Sequence, residues 1–327
     1  MKLNILNCEP KDYCEEAKQI LQRFGDVFEK PLCQSELLAA VGNFDVLIVR
    51  LGLRITREVI EASKKLKVIV SATTGLDHID LQAARERNIE VLSLQGEREF
   101  LRSISATAEH TWTLLLGLLR HMPWAFEHVK SNGWERDRYR GNELKGKNLG
   151  ILGLGRLGEQ VAHYGLTFGM KVGAYDPFRN GWVQDVRQFE LLEAVLHWSS
   201  VLTVHLPLRK DTYGFLNEER LRLLPKGAWI INTARGALID EFALVKSLEN
   251  GHLAGAAIDV ICNEQIQKER EKSPLLEYSK NNNNLILTPH IGGATHESMK
   301  NTEVFMAKKL CHYIETELKI RIFDEES

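Results

Sequence analysis

The stretch KNLGILGLGRLGEQVAHYGLTF, residues 147–168, decides the fold. It opens on an apolar, strand-like run, closes on a segment with helical spacing, and carries GLGRLG between them. Gly153 permits a tight turn, Gly155 lets a phosphate approach the backbone, and Gly158 lets the helix pack on the strand. Because the helix N-terminus adds unpaired N–H groups and partial positive charge, the stretch predicts a dinucleotide-binding βαβ unit.

An acidic residue after the next strand indicates which dinucleotide binds. The strand KVGAY at 171–175 runs into Asp176, about twenty residues after Gly153, where a carboxylate accepts hydrogen bonds from a ribose. Because this acid would repel a 2′-phosphate, NAD is favoured and NADP is disfavoured. Arg179 weakens that preference slightly, although an arginine in such a loop is more often simply exposed.

Strand-like and helix-like segments alternate along the whole chain, which predicts an α/β protein with parallel sheets. In the first hundred or so residues the strand candidates are LNIL, DVLIV, KVIV and IEVL. Later they are KNLGIL (147–152), KVGAY (171–175), SVLTVHL (200–206), AWIIN (228–232), AGAAIDV (254–260) and NLILT (284–288). Six strands with helical crossovers is the count of a doubly wound dinucleotide-binding domain.

Two long helical patterns flank this second series of strands. SATAEHTWTLLLGLLRHM, from Ser105, predicts a helix that bridges two domains and has Pro123 near its end. The segment at roughly 295–319 predicts a last helix that packs on the first domain.

Size and composition are those of a two-domain globular protein. The 327 residues exceed the size at which one core usually stops growing. Forty-two Lys and Arg against 44 Asp and Glu leave a net charge of −2, so we expect no nucleic-acid partner and no membrane partner. The five scattered cysteines contain no CxxC pair, which favours a reducing cytoplasm and predicts neither disulfides nor a metal site. The N-terminus lacks a signal peptide's apolar segment, so the chain is expected to begin at Met1.

Four residues that can do chemistry follow the last three strand candidates. Arg235 follows AWIIN, Asp259 follows AGAAI with Glu264 just beyond it, and His290 follows NLILT. Ligands of an open parallel sheet bind beyond the carboxyl ends of its strands, so these side chains converge on one edge. Taken singly, each has a simpler explanation: a solvated arginine or glutamate, a helix-capping aspartate, a capping histidine. Their joint placement beside a dinucleotide site favours catalysis.

These residue types suit the oxidation of an alcohol by hydride transfer. Histidine titrates nearest neutral pH and can take the hydroxyl proton. A carboxylate bonded to the imidazole fixes its tautomer and favours the protonated form. An arginine binds a carboxylate through two parallel N–H bonds. We therefore expect His290 as the acid/base, Glu264 as its partner and Arg235 as the clamp on a small 2-hydroxy or 2-oxo acid.

The ordered motifs GLGRLG, YDP (175–177), INTARG (231–236), AIDVICNE (257–264) and TPHIGG (288–293) resemble those of the D-isomer-specific 2-hydroxyacid dehydrogenases. This family includes phosphoglycerate dehydrogenases and hydroxypyruvate reductases, and the resemblance covers essentially the whole chain. It implies a Rossmann-type doubly wound NAD domain, 103–293, inserted into a flavodoxin-like α/β substrate domain made of 1–102 and 294–327. It also implies a homodimer through the cofactor domain, and the predicted interface contains Trp112, Trp124 and Trp134.

Matched residue by residue, the resemblance implies a complete site. Its catalytic residues are Arg235, Glu264 and His290. Its cofactor-binding residues are Thr74, Gly153, Gly155, Arg156, Leu157, Gly158, Asp176 (on the adenosine ribose), Leu206, Thr233, Asp259 (on the nicotinamide carboxamide), Gly292 and Gly293. Its substrate-binding residues are Arg50, Thr73, Thr74, Gly75 and Arg235. A surface salt bridge explains Arg50 equally well.

Two departures from the family leave the substrate open. Gln265 stands where relatives usually have proline, and 94–110 reads as a charged loop where many relatives have an Asn/Gly/Pro-rich one. A phosphorylated acid would need a cationic subsite, whereas glyoxylate or hydroxypyruvate would not; the available cations are Arg50, Arg54, Arg98 and Arg102. The alternative function is a non-catalytic NAD(H)-sensing protein on the same fold, similar to the family's corepressor members. Because the chain ends at 327, we do not expect the C-terminal regulatory domain of longer members.

Overall fold

The structure, a computed structural model, describes residues 2–320. The chain divides into two compact units: unit 1 is Met1–Ser103 with Ala294–Ser327, and unit 2 is Ile104–Gly293. The sequence predicts a division after residues 102 and 293. The predicted start at Met1, and the part of the predicted segment 294–327 beyond residue 320, lie outside the described residues.

Unit 1 is built around five parallel strands in the order β2-β1-β3-β4-β5, the flavodoxin-like order. Its first elements are β1 (Leu3–Asn7), α1 (Glu15–Gln22), β2 (Gly25–Glu29), α2 (Gln34–Ala40), β3 (Val46–Val49), α3 (Arg57–Ala62), β4 (Val68–Ser71), α4 (Leu81–Glu86), β5 (Glu90–Ser93) and α5 (Arg98–Arg102). The residues of β3 and β4 are all buried, as expected of strands covered on both faces.

Two of these elements differ from the sequence prediction. Strand β2 was not among the candidates; it lies at the sheet edge, and most of its side chains are at least partly exposed, so its sequence lacks a strong apolar signal. The charged segment predicted as a loop at 94–110 contains a short helix, α5, and the start of the next helix.

Unit 2 is built around seven parallel strands in the order β12-β11-β10-β9-β6-β7-β8. Its elements are α6 (Ala106–Leu119), α7 (Met122–Lys130), β6 (Asn148–Leu152), α8 (Arg156–Thr167), β7 (Lys171–Tyr175), β8 (Arg187–Gln188), α9 (Leu192–Trp198), β9 (Val201–Val204), α10 (Glu218–Arg222), β10 (Ala228–Asn232), α11 (Glu241–Glu249), β11 (Leu253–Ile258), α12 (Gln267–Arg270), α13 (Pro274–Ser279) and β12 (Leu285–Leu287). Separate apolar clusters cover the sheet, one containing α6 and α8 and the other α9 and α11. The predicted α/β class, with a doubly wound sheet, is confirmed.

The prediction for unit 2 needs three corrections. All six predicted strands are present, but a seventh, β8, extends the sheet by two residues. The helix from Ser105 ends at Leu119, and Pro123 lies in the first turn of the following helix, α7. Proline fits that position because the first turn needs no N–H donor. Trp112, predicted at a dimer interface, is only 5% exposed and stacks on Phe168 inside unit 2.

The last helix, α14 (His296–Thr316), returns the chain to unit 1 and packs against α1. Its apolar face buries Met306, Leu310 and Ile314. Phe305 stacks on Phe100 of α5, with ring centroids 4.0 Å apart. Within residues 2–320, none of the helices has both the length and the apolar character needed to cross a membrane.

Candidate active site

The predicted residues of unit 2 gather at one edge of its sheet. The glycine-rich loop follows β6, Asp176 follows β7, and Leu206 lies just beyond β9. Arg235, Asp259 and His290 lie beyond the ends of β10, β11 and β12, which are neighbours in the sheet. Because all these strands are parallel, their carboxyl ends share an edge, and β6 lies where the strand order reverses.

The glycine-rich loop has the shape of a phosphate cradle. Gly153 has φ +87°, a left-handed conformation that favours glycine, and a Cβ there would lie 2.7 Å from the carbonyl oxygen of His205. A Cβ at Gly158 would overlap the carbonyl oxygen of Gly153. Gly155 caps α8, so the first N–H groups of that helix lie beside the turn.

Asp176 lies against this loop and is held by it. Its carboxylate accepts the N–H of Leu154 at 2.9 Å and that of Phe178 at 3.1 Å. Arg179 is not the freely exposed arginine expected from the sequence. It donates to the carbonyls of Leu154 and Gly181 and pairs with Glu159 at 2.5 Å.

Two further residues predicted to bind the cofactor adjoin the loop. The Arg156 guanidinium donates to the carbonyl of Ile104 at 2.9 Å, and burial lowers the pKa of this arginine. The side chain of Leu206 would be 3.1 Å from a Cβ at Gly153. Both side chains therefore lie beside the glycine-rich loop and make these contacts within unit 2.

His290 and Glu264 form a hydrogen-bonded pair. Nδ1 of His290 bonds to Oε1 of Glu264, and the two side chains are 20% and 18% exposed. When Glu264 is ionised, Nδ1 carries the proton and donates it, which leaves Nε2 as the second nitrogen. His290 has φ +54°, a left-handed conformation uncommon outside glycine. The segments that follow two neighbouring strands, β11 and β12, thus bring these two side chains into contact.

The loop that carries Glu264 is anchored by a buried acid. Glu241, 9% exposed, accepts the N–H of Cys262 at 2.6 Å and the hydroxyl of Ser273 at 2.6 Å. Asn263 takes a left-handed conformation, φ +53°, and Gln265 leaves Glu264 in place. The missing proline at 265 therefore does not displace the acid.

Asp259 organises the loop that presents His290. The side chain is 1% exposed, and its carboxylate accepts the Thr288 hydroxyl at 2.6 Å and the N–H groups of Ile291 and Gly292 at 2.9 and 2.8 Å. His110 Nε2 lies 3.2 Å from the same carboxylate. Burial alone would raise the pKa of Asp259, but these hydrogen bonds outweigh it and hold the pKa below its ordinary value.

Replacing Asp259 with asparagine should therefore destabilise unit 2 at neutral pH. The two backbone N–H groups bond to different oxygens of Asp259, and an amide has only one oxygen, so we expect a loss of about 1.5–3 kcal/mol in the free energy of unfolding. Because the folded-state pKa is lowered, this contribution is present above the ordinary carboxyl range and disappears as the pH falls through the lowered value. Chemical denaturation at several pH values measures it. A difference between the two proteins that persists unchanged in strong acid would contradict this account.

The segment that carries Arg235 is shaped by a buried asparagine. Asn232, fully buried, donates from Nδ2 to the carbonyl of Arg235 at 2.9 Å and accepts the N–H of Ala234 at 3.0 Å. The guanidinium of Arg235 donates to the carbonyl of Ala234 at 2.8 Å. Thr233 is buried and its hydroxyl lies 2.8 Å from that of Thr111 on α6. The turn is thus fixed from both sides.

Gly236 joins the Arg235 segment to the Glu264 loop. The sequence suggests that this glycine gives the backbone freedom to turn, but it does not have a positive φ in the structure. Instead, a Cβ at this position would overlap the backbone of Ile261 and Cys262. The glycine is needed because two loops of the site touch there.

Gly236→Ala should consequently force these loops apart. Overpacking against backbone costs about 1–3 kcal/mol, so we expect a lower Tm by several degrees. Gly117→Ala is the matched control, because a Cβ in that helical position makes only an ordinary contact, 3.7 Å from Ile286. Equal Tm values for the two variants would show that the contact at Gly236 relaxes freely.

The predicted residues of unit 1 form their own group. Thr73, Thr74 and Gly75 lie in the loop after β4, where the Thr73 hydroxyl donates to the Gly75 carbonyl at 2.9 Å. Thr74 is exposed. Arg50 follows β3, and its guanidinium forms an ion pair with Glu303 and a hydrogen bond to the carbonyl of Lys11.

Besides Glu241, sequence reasoning missed three residues that support the site. His110 and Thr288 bind Asp259, and Asn232 shapes the Arg235 turn. The polar residues of α6 that end up inside, such as His110 at 14% side-chain exposure, stand in an otherwise apolar helical pattern, and this was the available signal. In the described part of the chain, we find no cluster of His, Cys, Asp and Glu that could hold a metal ion.

Known proteins are similar to this chain in sequence and in fold. The family model described as D-isomer specific 2-hydroxyacid dehydrogenase, NAD binding domain, matches residues 112–292. The chain is 37% identical over 308 residues to D-3-phosphoglycerate dehydrogenase of Methanocaldococcus jannaschii, which covers 93% of this chain and 56% of that protein. It is 35% identical over 299 residues to hydroxypyruvate reductase of Thermotoga maritima, which covers 90% of this chain and 94% of that protein.

A solved structure is similar over the full length. The D-lactate dehydrogenase from Aquifex aeolicus, complexed with NAD and lactic acid, has a TM-score of 0.82 at 26% identity and covers 99% of this chain and 100% of its own. The chain spans about half the length of the phosphoglycerate dehydrogenases that it matches. The family predicted from the motifs is confirmed: this chain belongs to the D-isomer specific 2-hydroxyacid dehydrogenases, and its second unit is their NAD-binding domain.

Proposed function

We propose that this protein interconverts a small D-2-hydroxy acid and its 2-oxo acid, with NAD as the hydride carrier. The observation that carries the proposal is the His290–Glu264 pair, held at the same sheet edge as Arg235 in an NAD-binding domain. The loop that presents His290 is fixed by the buried carboxylate of Asp259, which accepts the N–H groups of Ile291 and Gly292.

The residues around β6 fit NAD. The glycines leave room for a pyrophosphate, and the N-terminus of α8 offers N–H groups to it. Asp176 accepts one N–H on each oxygen and keeps lone pairs for ribose hydroxyls. When bound, NAD supplies the acceptor for the hydride. The proposal retains the other predicted cofactor contacts, which are Thr74, Arg156, Leu157, Leu206, Thr233, Asp259, Gly292 and Gly293.

The catalytic residues then have distinct tasks. With Nδ1 bonded to Glu264, His290 takes the hydroxyl proton on Nε2 during oxidation and returns it during reduction. The Glu264 carboxylate stabilises the imidazolium that forms. Arg235 binds the substrate carboxylate and polarises the neighbouring oxygen. In unit 1, the proposal retains Thr73, Thr74 and Gly75 as substrate-binding residues, through the backbone N–H groups of their loop.

The direct test is a panel of 2-oxo acids mixed with the purified chain and NADH. We expect loss of NADH absorbance with at least one of glyoxylate, hydroxypyruvate, pyruvate and phosphohydroxypyruvate. No oxidation of NADH with any 2-oxo acid would overturn the proposed activity. NADH binding without turnover, together with NADH-dependent capture of a peptide partner, would favour the non-catalytic alternative.

We further propose that the protein is a homodimer through unit 2 and works in the reducing cytoplasm. None of the residues of α7, every one of which the structure describes, is buried. Phe126 is 60% exposed, Val129 50% and nearby Trp134 86%, so these large apolar side chains are available for contact with a partner. Sedimentation should give a dimer, and Phe126→Glu should give a monomer.

The cytoplasmic setting is supported by the five cysteines, all of them free thiols.

A further inference from the structure

The guanidinium of Arg50 is already committed inside unit 1. One terminal nitrogen pairs with the carboxylate of Glu303 on α14, and the other donates to the carbonyl of Lys11 at 2.8 Å. The Glu303 side chain is 3% exposed, and its second oxygen accepts the N–H of Cys14 at 2.7 Å. A carboxylate buried this deeply requires its partners, so Glu303 both fixes Arg50 and cancels its charge.

A second acid occupies the backbone of the same loop. Oε2 of Glu9 accepts the N–H of Arg50 at 2.5 Å, and Oε1 accepts the N–H of Gly52 at 2.9 Å. Backbone N–H groups that converge on one point make an anion-binding site. Here the anion in that site is the protein's own carboxylate. Burial raises the pKa of Glu9, as expected for an acid drawn out of water.

These charges lie close to the loop assigned to the substrate carboxylate. In the sheet of unit 1, β3 lies between β1 and β4, so Arg50 follows the strand next to the one that leads to Thr73–Gly75, and Glu9 follows the strand one further away. A depression of about 270 Å³ opens beyond the ends of β1, β2 and β3, and Glu9, Lys11 and Arg50 are among its lining residues. Lys11 and Arg50 contribute two positive charges, and Glu9 and Glu303 contribute two negative charges. The net charge of these four side chains is therefore zero.

We propose that the protein selects 2-oxo acids whose substituent beyond the keto carbon is uncharged, such as a hydroxymethyl group, and discriminates against a phosphate there. The inference rests on the proposed function, because it takes the Thr73–Gly75 loop as the place of the substrate carboxylate. A phosphate could take the N–H groups of Arg50 and Gly52 only by displacing Glu9, and the Arg50 guanidinium only by drawing it from Glu303. Either exchange leaves a carboxylate without its partner or brings two anions together.

The test compares kcat/KM for hydroxypyruvate and for 3-phosphohydroxypyruvate with NADH. For the natural sequence we expect the unphosphorylated acid to be favoured by roughly a hundredfold, the size of an unfavourable like-charge contact. Equal values, or a preference for the phosphorylated acid, would overturn the inference while leaving the proposed function intact.

Two variants test the cause of the preference. Glu303→Gln keeps an acceptor for the Cys14 N–H but removes the charge opposite Arg50, and Glu9→Gln removes the charge from the N–H site. Each should shift the ratio of the two kcat/KM values towards the phosphorylated acid by about tenfold or more. Glu90→Gln is the control, because Glu90 is exposed at the opposite end of β5. An unchanged ratio in both variants would contradict the inference.

A binding measurement separates this inference from the proposed activity. With NADH occupying the phosphate cradle of unit 2, inorganic phosphate should raise the Tm of folded Glu9→Gln or Glu303→Gln but not that of the natural sequence. If no 2-oxo acid is reduced, the proposed function fails, and the phosphate titration alone decides whether the charges of unit 1 exclude phosphate. Stabilisation of the natural sequence by phosphate, equal to that of the variants, would show that they do not.

Discussion

His290→Ala is expected to lower kcat for 2-oxo acid reduction by roughly 10²- to 10⁴-fold, the usual contribution of a positioned acid/base. The loss arises because Nε2 no longer supplies the proton to the oxygen as hydride arrives. Binding of NADH, followed by its fluorescence, should be unchanged, since the phosphate cradle follows β6 and the histidine follows β12. Normal turnover by this variant would show that another group is the acid.

The backbone at this position calls for a second variant. His290 has φ +54°, and alanine in a left-handed conformation costs about 1–2 kcal/mol, whereas asparagine tolerates it. His290→Asn should therefore keep the loop and still lose turnover. His312→Ala, at an exposed histidine on α14, is the matched control and should have the activity of the natural sequence. If only the alanine variant were inactive, a distorted loop rather than a lost proton donor would be the cause.

Arg235→Lys is the second change with a large expected effect. Lysine keeps the positive charge but replaces the planar fork of two parallel N–H donors by a single ammonium group. Loss of one charge-assisted hydrogen bond corresponds to a fall in kcat/KM of roughly 10- to 100-fold. The dissociation constant for NADH should change little, because the lysine still leaves Asn232 and the turn intact.

The control for this experiment is Arg222→Lys, an exposed arginine on α10 that pairs with Glu218. It should leave both kcat/KM and NADH binding unchanged. If Arg235→Lys weakened NADH binding and substrate turnover equally, the arginine would be holding the fold of the segment after β10. A substrate clamp predicts damage to turnover alone.

Much of the fold could be predicted because its signals are local. Central strands such as β6 and β10 are continuous apolar runs, and the glycine-rich loop marks its own junction. The missed strands, β2 and β8, lie at sheet edges, where one side has no neighbour and side chains meet water. What makes them strands is the partner beside them, which their own residues do not encode.

The same contrast between local signals and distant partners holds for the candidate site. Arg235, Glu264 and His290 could be found because each stands close after a strand in a parallel sheet. Their supports could not, because His110 lies 149 residues from Asp259 in the sequence and Arg50 lies 253 from Glu303. Nothing in a window of sequence predicts a partner at such a distance. The prediction for Arg179 as an exposed cation was wrong because Glu159, on α8, pairs with it only once the fold has formed.

The hydrogen bonds that converge on Asp259 have a consequence for local unfolding. His290, Ile291 and Gly292 belong to no helix or strand, yet their three successive N–H groups all end on Asp259, on its carbonyl or its carboxylate. Such a segment cannot fray one residue at a time, because opening it exposes a buried carboxylate. We therefore expect this segment to open at a higher free energy than most loops, which open at little cost. His290, which must be accurately positioned for catalysis, thus lies on a loop that is held more firmly than most loops.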